Sequence, residues 1–117
     1  MAAAVLISAA AAVRADGNAA AGETVFKRSC AFCHSLDPAA KKQGPHLDGL
    51  IGRPAGSVAG FNYSPALAQS GIVWSADTLD AFLAAPTRRV PGTKMSVGVP
   101  SEKNRADLIA YLLSIGH

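Results

Sequence analysis

Small and apolar residues return at helical intervals near both ends of this chain, and the stretch between them breaks into short helices and loops. Gly22, Phe26 and Cys30 stand at four-residue steps along one face, a stripe that Asn18 can cap at its start. A glycine in that stripe permits close contact with another helix. At the far end, Leu108, Leu112 and Ile115 make the apolar stripe of a helix that begins near Ser101. Between the two, Ser64-Pro65 supplies an N-cap and a first-turn proline for a short helix that Gly71 ends. Ser75 caps the next helix, Asp77 and Asp80 place negative charge in its first turns, and Pro86 stops it. Lys41 to Gly60 is rich in Gly and Pro and reads as a loop within one domain, not as a linker between two. No segment alternates convincingly with the period of a strand, so the expected class is all-α. At 117 residues the chain supports one small domain.

The chemistry concentrates in Cys30-Ala31-Phe32-Cys33-His34. C-x-x-C-H is the spacing of covalent haem attachment. On a helical turn the two cysteines and the histidine stand at i, i+3 and i+4 and project from one face. Two thioethers can then hold the edge of the macrocycle while His34 reaches the iron. A bare C-x-x-C would equally suit thiol–disulfide exchange or half of a zinc site. The adjacent histidine favours haem, and the chain has no second pair of ligands to complete a zinc site.

A carrier haem commonly takes a methionine opposite its histidine. The chain has two methionines. Met1 opens an apolar leader, which leaves Met95, in the loop Val90-Pro91-Gly92-Thr93-Lys94-Met95, as the candidate. The alternative is that Met95 merely fills the core. If the methionine is absent from the iron or easily displaced, a haem enzyme or gas-binding protein results instead.

From about Gly17 onward the sequence resembles class I cytochromes c. The matching residues run in order from Gly22, Phe26 and the C-x-x-C-H through Gly44-Pro45-His46-Leu47, Gly49-Leu50-Ile51-Gly52-Arg53 and Gly60-Phe61-Asn62-Tyr63. They continue through Gly71-Ile72-Val73-Trp74 and Pro91-Gly92-Thr93-Lys94-Met95 to Arg105-Ala106-Asp107-Leu108-Ile109-Ala110-Tyr111-Leu112. The resemblance implies a class I cytochrome c fold, helices and loops wrapped round one covalent haem c, with the terminal helices crossing where Tyr111 meets Gly22 and Phe26. It implies iron ligation by His34 and Met95, a Pro45 carbonyl that orients His34, and Arg53, Tyr63, Trp74 and Thr93 about the haem propionates. It also implies a soluble one-electron carrier, not an enzyme, between a cytochrome bc complex and a terminal oxidase or photosynthetic reaction centre. Leu67 and Phe82 depart from the pattern, standing where many members carry Asn and Tyr. The polar network beside the methionine is therefore expected to be reduced. His46 is expected beside the site and not on the iron, and the terminal His117 in no defined role.

The net charge of +3 is too small to argue nucleic-acid binding. Its placement is more informative. Lys27, Arg28, Lys41, Lys42, Arg88, Arg89 and Lys94 flank the haem segments, which predicts a basic face toward acidic redox partners of a monomer. Residues 1–15, MAAAVLISAAAAVRA, read as a signal peptide cut near Ala15, leaving 16–117 as the domain in the periplasm. Retention of that segment as an anchor or helix extension is the other reading. No stretch has the roughly 20 apolar residues a membrane-spanning helix needs. Both cysteines are committed to haem, so no disulfide is expected.

Overall fold

The computed structural model describes residues 17–115, which form five helices joined by long loops. The first helix, α1 (Ala19–Ser29), starts where the Asn18 side chain accepts the N–H of Ala21. It ends in the C-x-x-C-H, whose Cys33 and His34 N–H groups both donate to the Cys30 carbonyl, at 3.1 and 2.9 Å. The motif is therefore one further helical turn, and its three side chains are set by that turn.

The two short helices α2 (Pro65–Ala68) and α4 (Pro86–Arg89) each begin on a proline. Ser64 caps α2 by accepting from the N–H of Leu67, and the helix closes at Ala68, a turn before Gly71. Between them, α3 (Ala76–Ala84) opens on a reciprocal cap in which Ser75 and Thr78 each accept from the other's backbone N–H. Pro86 does end α3, yet it also starts α4, because its fixed φ and missing N–H suit the first position of a new turn.

The last helix, α5 (Glu102–Ile115), crosses α1 and packs on α3. Gly22 makes the first crossing possible: a Cβ there would collide with the Asp107 carbonyl and the Tyr111 side chain. The Phe26 and Tyr111 rings meet at the same crossing with centroids 5.8 Å apart. Leu108 and Ile109 are the most deeply buried side chains, at 1% and 0% exposure. Truncating either to alanine is expected to cost about 2–5 kcal/mol.

The described residues contain no strand, only a single antiparallel bridge between Pro54 and Val73. Around it, Gly52 N–H donates to Trp74 O, Trp74 N–H to Arg53 O and Ala55 N–H to Ile72 O. That clasp fixes Arg53 and Trp74 relative to each other before either meets a ligand. No helix among the described residues is long and apolar enough to cross a membrane.

Candidate functional site

A cavity of about 650 Å³ opens between the C-x-x-C-H turn, the 44–63 loop, α3 and the 93–97 loop. Its walls are mostly apolar, with Leu50, Leu79, Leu83 and Leu108 at the back. Cys30, Cys33, His34, Pro45, Arg53, Tyr63, Trp74, Thr93 and Met95 all line it. Leu67 and Phe82 line it too, and Trp74 stacks edge-on against Phe82 at 5.2 Å. His46 does not line it but borders a smaller pocket beside Pro45 and Val58, and His117 falls outside the described residues.

His34 is held from two sides. Its Nδ1 lies 2.8 Å from the Pro45 carbonyl oxygen. A carbonyl can only accept, so Nδ1 carries the proton and Nε2 keeps its lone pair. Burial, opposed by that hydrogen bond, holds the imidazolium below its ordinary range and favours this neutral ring. The other constraint is Gly44, where a Cβ would run into the imidazole. Gly44 N–H donates to Cys33 O and Leu47 N–H to Ser35 O, so the 44–47 loop is pinned along the attachment turn.

Burial, reinforced by neighbouring Cys33, pushes the Cys30 thiol up to about 11. Exchange-active C-x-x-C sites do the opposite and depress a thiol. Both cysteines are free, and Cys33 Sγ lies 3.3 Å from Gln43 Oε1. Among the described residues no three His, Cys, Asp or Glu side chains gather as a metal cluster. A raised Cys30 thiol does not suit thiol–disulfide exchange.

Arg53 carries the clearest sign of a missing partner. Its terminal nitrogens donate to the His46 and Asp48 carbonyls, both at 2.9 Å. Its Nε is buried and has no partner among the described residues. Burial lowers the guanidinium's pKa, as expected of a cation short of counter-charge. A carboxylate at this edge of the cavity would answer both needs, and haem carries two. Tyr63 accepts the Val58 N–H at 3.0 Å and keeps its own O–H to donate. The cavity, the two thiols, the oriented imidazole and the orphaned Arg53 donor thus fit a haem.

The Met95 segment is tied down at intervals. Val90 is buried, Thr93 N–H donates to Val90 O, and Thr93 Oγ1 accepts the Met95 N–H at 3.4 Å. Lys94 Nζ donates to the Asn62 carbonyl across the cavity mouth. Phe32 and Val97 stand at the same mouth with 86% and 65% of their surface exposed. Sequence reasoning gave Phe32 no part, because periodicity does not reveal which way an aromatic inside the motif points.

The comparisons with known proteins agree with this geometry. The family model for cytochrome c matches residues 19–116. A cytochrome c of Gossypium barbadense is 48% identical over 98 residues, covering 82% of this chain and 88% of the relative. Cytochrome c type-1 of Ascaris suum is 45% identical, covering 83% and 88%. Cytochrome c 2.1 of Caenorhabditis elegans is 46% identical over 92 residues, covering 78% and 83%.

These relatives overturn the periplasmic location. They are mitochondrial-type cytochromes c of plants and nematodes, organisms without a periplasm, and the signal peptide has no support. Residues 1–15 lie outside the described residues and before the matched region. An alanine-rich run satisfies the apolar and small-residue pattern of a leader by composition alone, and this one lacks the basic start that would make the pattern specific. The chain belongs to the cytochrome c family, as a small all-α class I member that carries haem c covalently through Cys30 and Cys33 and serves in electron transfer.

Proposed function

We propose that this protein is a diffusible one-electron carrier whose haem iron is ligated by His34 and Met95. It takes electrons from a cytochrome bc complex and delivers them to a terminal oxidase. The observation that carries the reading is the convergence of His34, its Nε2 left free by the Pro45 hydrogen bond, and Met95 on one apolar cavity. Bound haem supplies a reversible one-electron change at iron, at a potential that methionine ligation raises. The chain's part is to hold the surroundings still. Pro45 fixes the ring of His34, Thr93 braces the backbone at Met95, and Arg53, Tyr63 and Trp74 stand ready for the propionates. With His34 and Met95 both holding the iron, no position on it would be left for a substrate. Leu67 and Phe82 add apolar surface to the cavity wall.

Docking follows from the mouth of the cavity. Among the described residues no Asp or Glu lines it. Lys42 and Lys94 are tethered near it through the Ala31 and Asn62 carbonyls, and Arg28, Arg88 and Arg89 are exposed. Lys27 shares its charge with Glu23 at 3.4 Å and adds less. An acidic partner surface suits this rim, with Phe32 and Val97 as an apolar centre.

The test is the visible and near-infrared spectrum of the purified holoprotein, ferric and ferrous, with and without CO. The weak long-wavelength sulfur-to-iron band with indifference to CO supports the carrier. A missing band with rapid CO binding would give the haem an open position and replace this reading with a gas-binding or enzymatic one.

A further inference from the structure

Two nitrogens of one side chain make three hydrogen bonds that join the end of the Met95 segment to α3. Arg105, in the first turn of α5, donates from Nε to Asp80 Oδ1 on α3 at 2.8 Å. Its Nη1 donates to the carbonyls of Val99 and Pro100 at 3.0 and 2.9 Å. The ion pair is sheltered, with side chains 12% and 29% exposed, unlike the open surface pairs that contribute little.

The segment it holds is suspended between two anchors. At the near end are buried Val90 and the turn closed by Thr93. At the far end Val99 is buried, its N–H donates to Leu83 O at 2.7 Å, and its carbonyl accepts from Arg105. Between them Lys94, Ser96 and Val97 are exposed and Met95 is half-buried. Apart from Lys94 Nζ on the Asn62 carbonyl and Met95 itself against the core, little holds residues 94–97, so their place leans on the two ends, the far one including Gly98 packed close on Leu83 and Pro86. Arg105 itself does not line the cavity.

We propose that Arg105, locked by Asp80, is a positioning residue for Met95: it fixes the far anchor of the segment and so sets how seldom the methionine swings away from the iron. The inference rests on the assignment of Met95 as a ligand, and its test separates the two.

An added ligand such as imidazole binds ferric haem only when Met95 is away, so its apparent affinity scales with the fraction of molecules in that state. In the holoprotein, Arg105→Ala is expected to bind imidazole about tenfold or more tightly, the loss of charge-assisted hydrogen bonds appearing as a larger open fraction. Asp80→Asn, which leaves both carbonyl contacts in place, should give a smaller rise in the same direction. It also carries the test if the Arg105 variant does not fold. Arg105→Lys keeps the charge but lacks the planar fork, and should fall between Arg105→Ala and the parent.

The control is Asp107→Asn, which removes the charge from the tie between the same helix and the start of α1 and the acceptor for Lys103, and touches nothing in the segment. It should lower resistance to denaturant without changing imidazole affinity. Arg105 and Asp80 variants that bind imidazole no more tightly than this control would overturn the inference and leave Arg105 a helix-packing residue. If the parent ferric protein lacks the sulfur-to-iron band, the ligand assignment fails and this inference with it. If the band is present and the affinities are unmoved, the inference fails alone.

Discussion

Asp107, buried on the last helix, accepts the backbone N–H of Asn18 through Oδ1 at 2.8 Å and so joins α5 to the start of α1. Its other oxygen accepts from Lys103 Nζ at 2.7 Å. One carboxylate thereby satisfies an amide at the start of α1, where the helix dipole favours negative charge.

The Lys103 and Asn18 hydrogen bonds hold the Asp107 carboxyl below the usual carboxylate range. A depressed folded-state pKa means stability that is present above the unfolded value of about 3.9 and lost as pH falls through the folded one. Asp107→Asn keeps the shape and one acceptor but loses the charge. It is expected to cost about 1–3 kcal/mol at neutral pH. The gap between parent and variant should narrow below about pH 4. Urea melts at a series of pH values check this. A gap that stays constant to the acid end would show that the charge is not what matters.

Gly44 is required by the ring it faces. Gly44→Ala would push a methyl into the His34 imidazole and displace it from Pro45. Overpacking of this kind costs about 1–3 kcal/mol. The expected outcome is a lower haem-to-protein ratio on purification, together with an earlier thermal transition of whatever holoprotein forms. An unchanged ratio and melting temperature would mean that the loop yields freely and that the close contact has no functional weight.

What could be read in the sequence divides along a physical line. Helix starts were legible because caps are local: Asn18, Ser64 and Ser75 each accept a backbone N–H only three residues on. The attachment turn was legible for the same reason, its spacing being a property of one helical turn. The role of Pro86 as the start of α4 was not, because the same residue ends α3 and the sequence shows the stop more plainly than the restart. Contacts across the loops were legible only through resemblance. Arg53 finds its acceptors on His46 and Asp48 through backbone carbonyls, which carry no side-chain signature, and Arg105 reaches Asp80 across 25 residues.

Met95→Ala removes the thioether from the cavity. The expected outcome is loss of the long-wavelength ferric band, rapid CO binding by the ferrous form and a lower reduction potential, since methionine ligation raises it. Parent-like spectra and potential in this variant would remove Met95 from the iron and return it to the role of a core residue.

The rim and the centre of the proposed docking face should respond differently to salt. Exposed charges more than a Debye length apart, about 10 Å at 0.1 M salt, are largely screened from one another. Replacing Arg88 and Arg89 with glutamine should therefore slow electron transfer to an acidic partner at low ionic strength and make little difference at high. On the proposed face Phe32 would work through apolar area, which salt does not screen. Phe32→Gln should weaken the same reaction by a similar factor at both ionic strengths. Stopped-flow rates against a bc complex and an oxidase, each at two salt concentrations, separate the two contributions. If Phe32→Gln has no effect at either concentration, the exposed ring lies outside the contact and the face acts through charge alone. If the arginine variant is slow at both, those arginines support the loop that carries Met95 and do not steer the encounter.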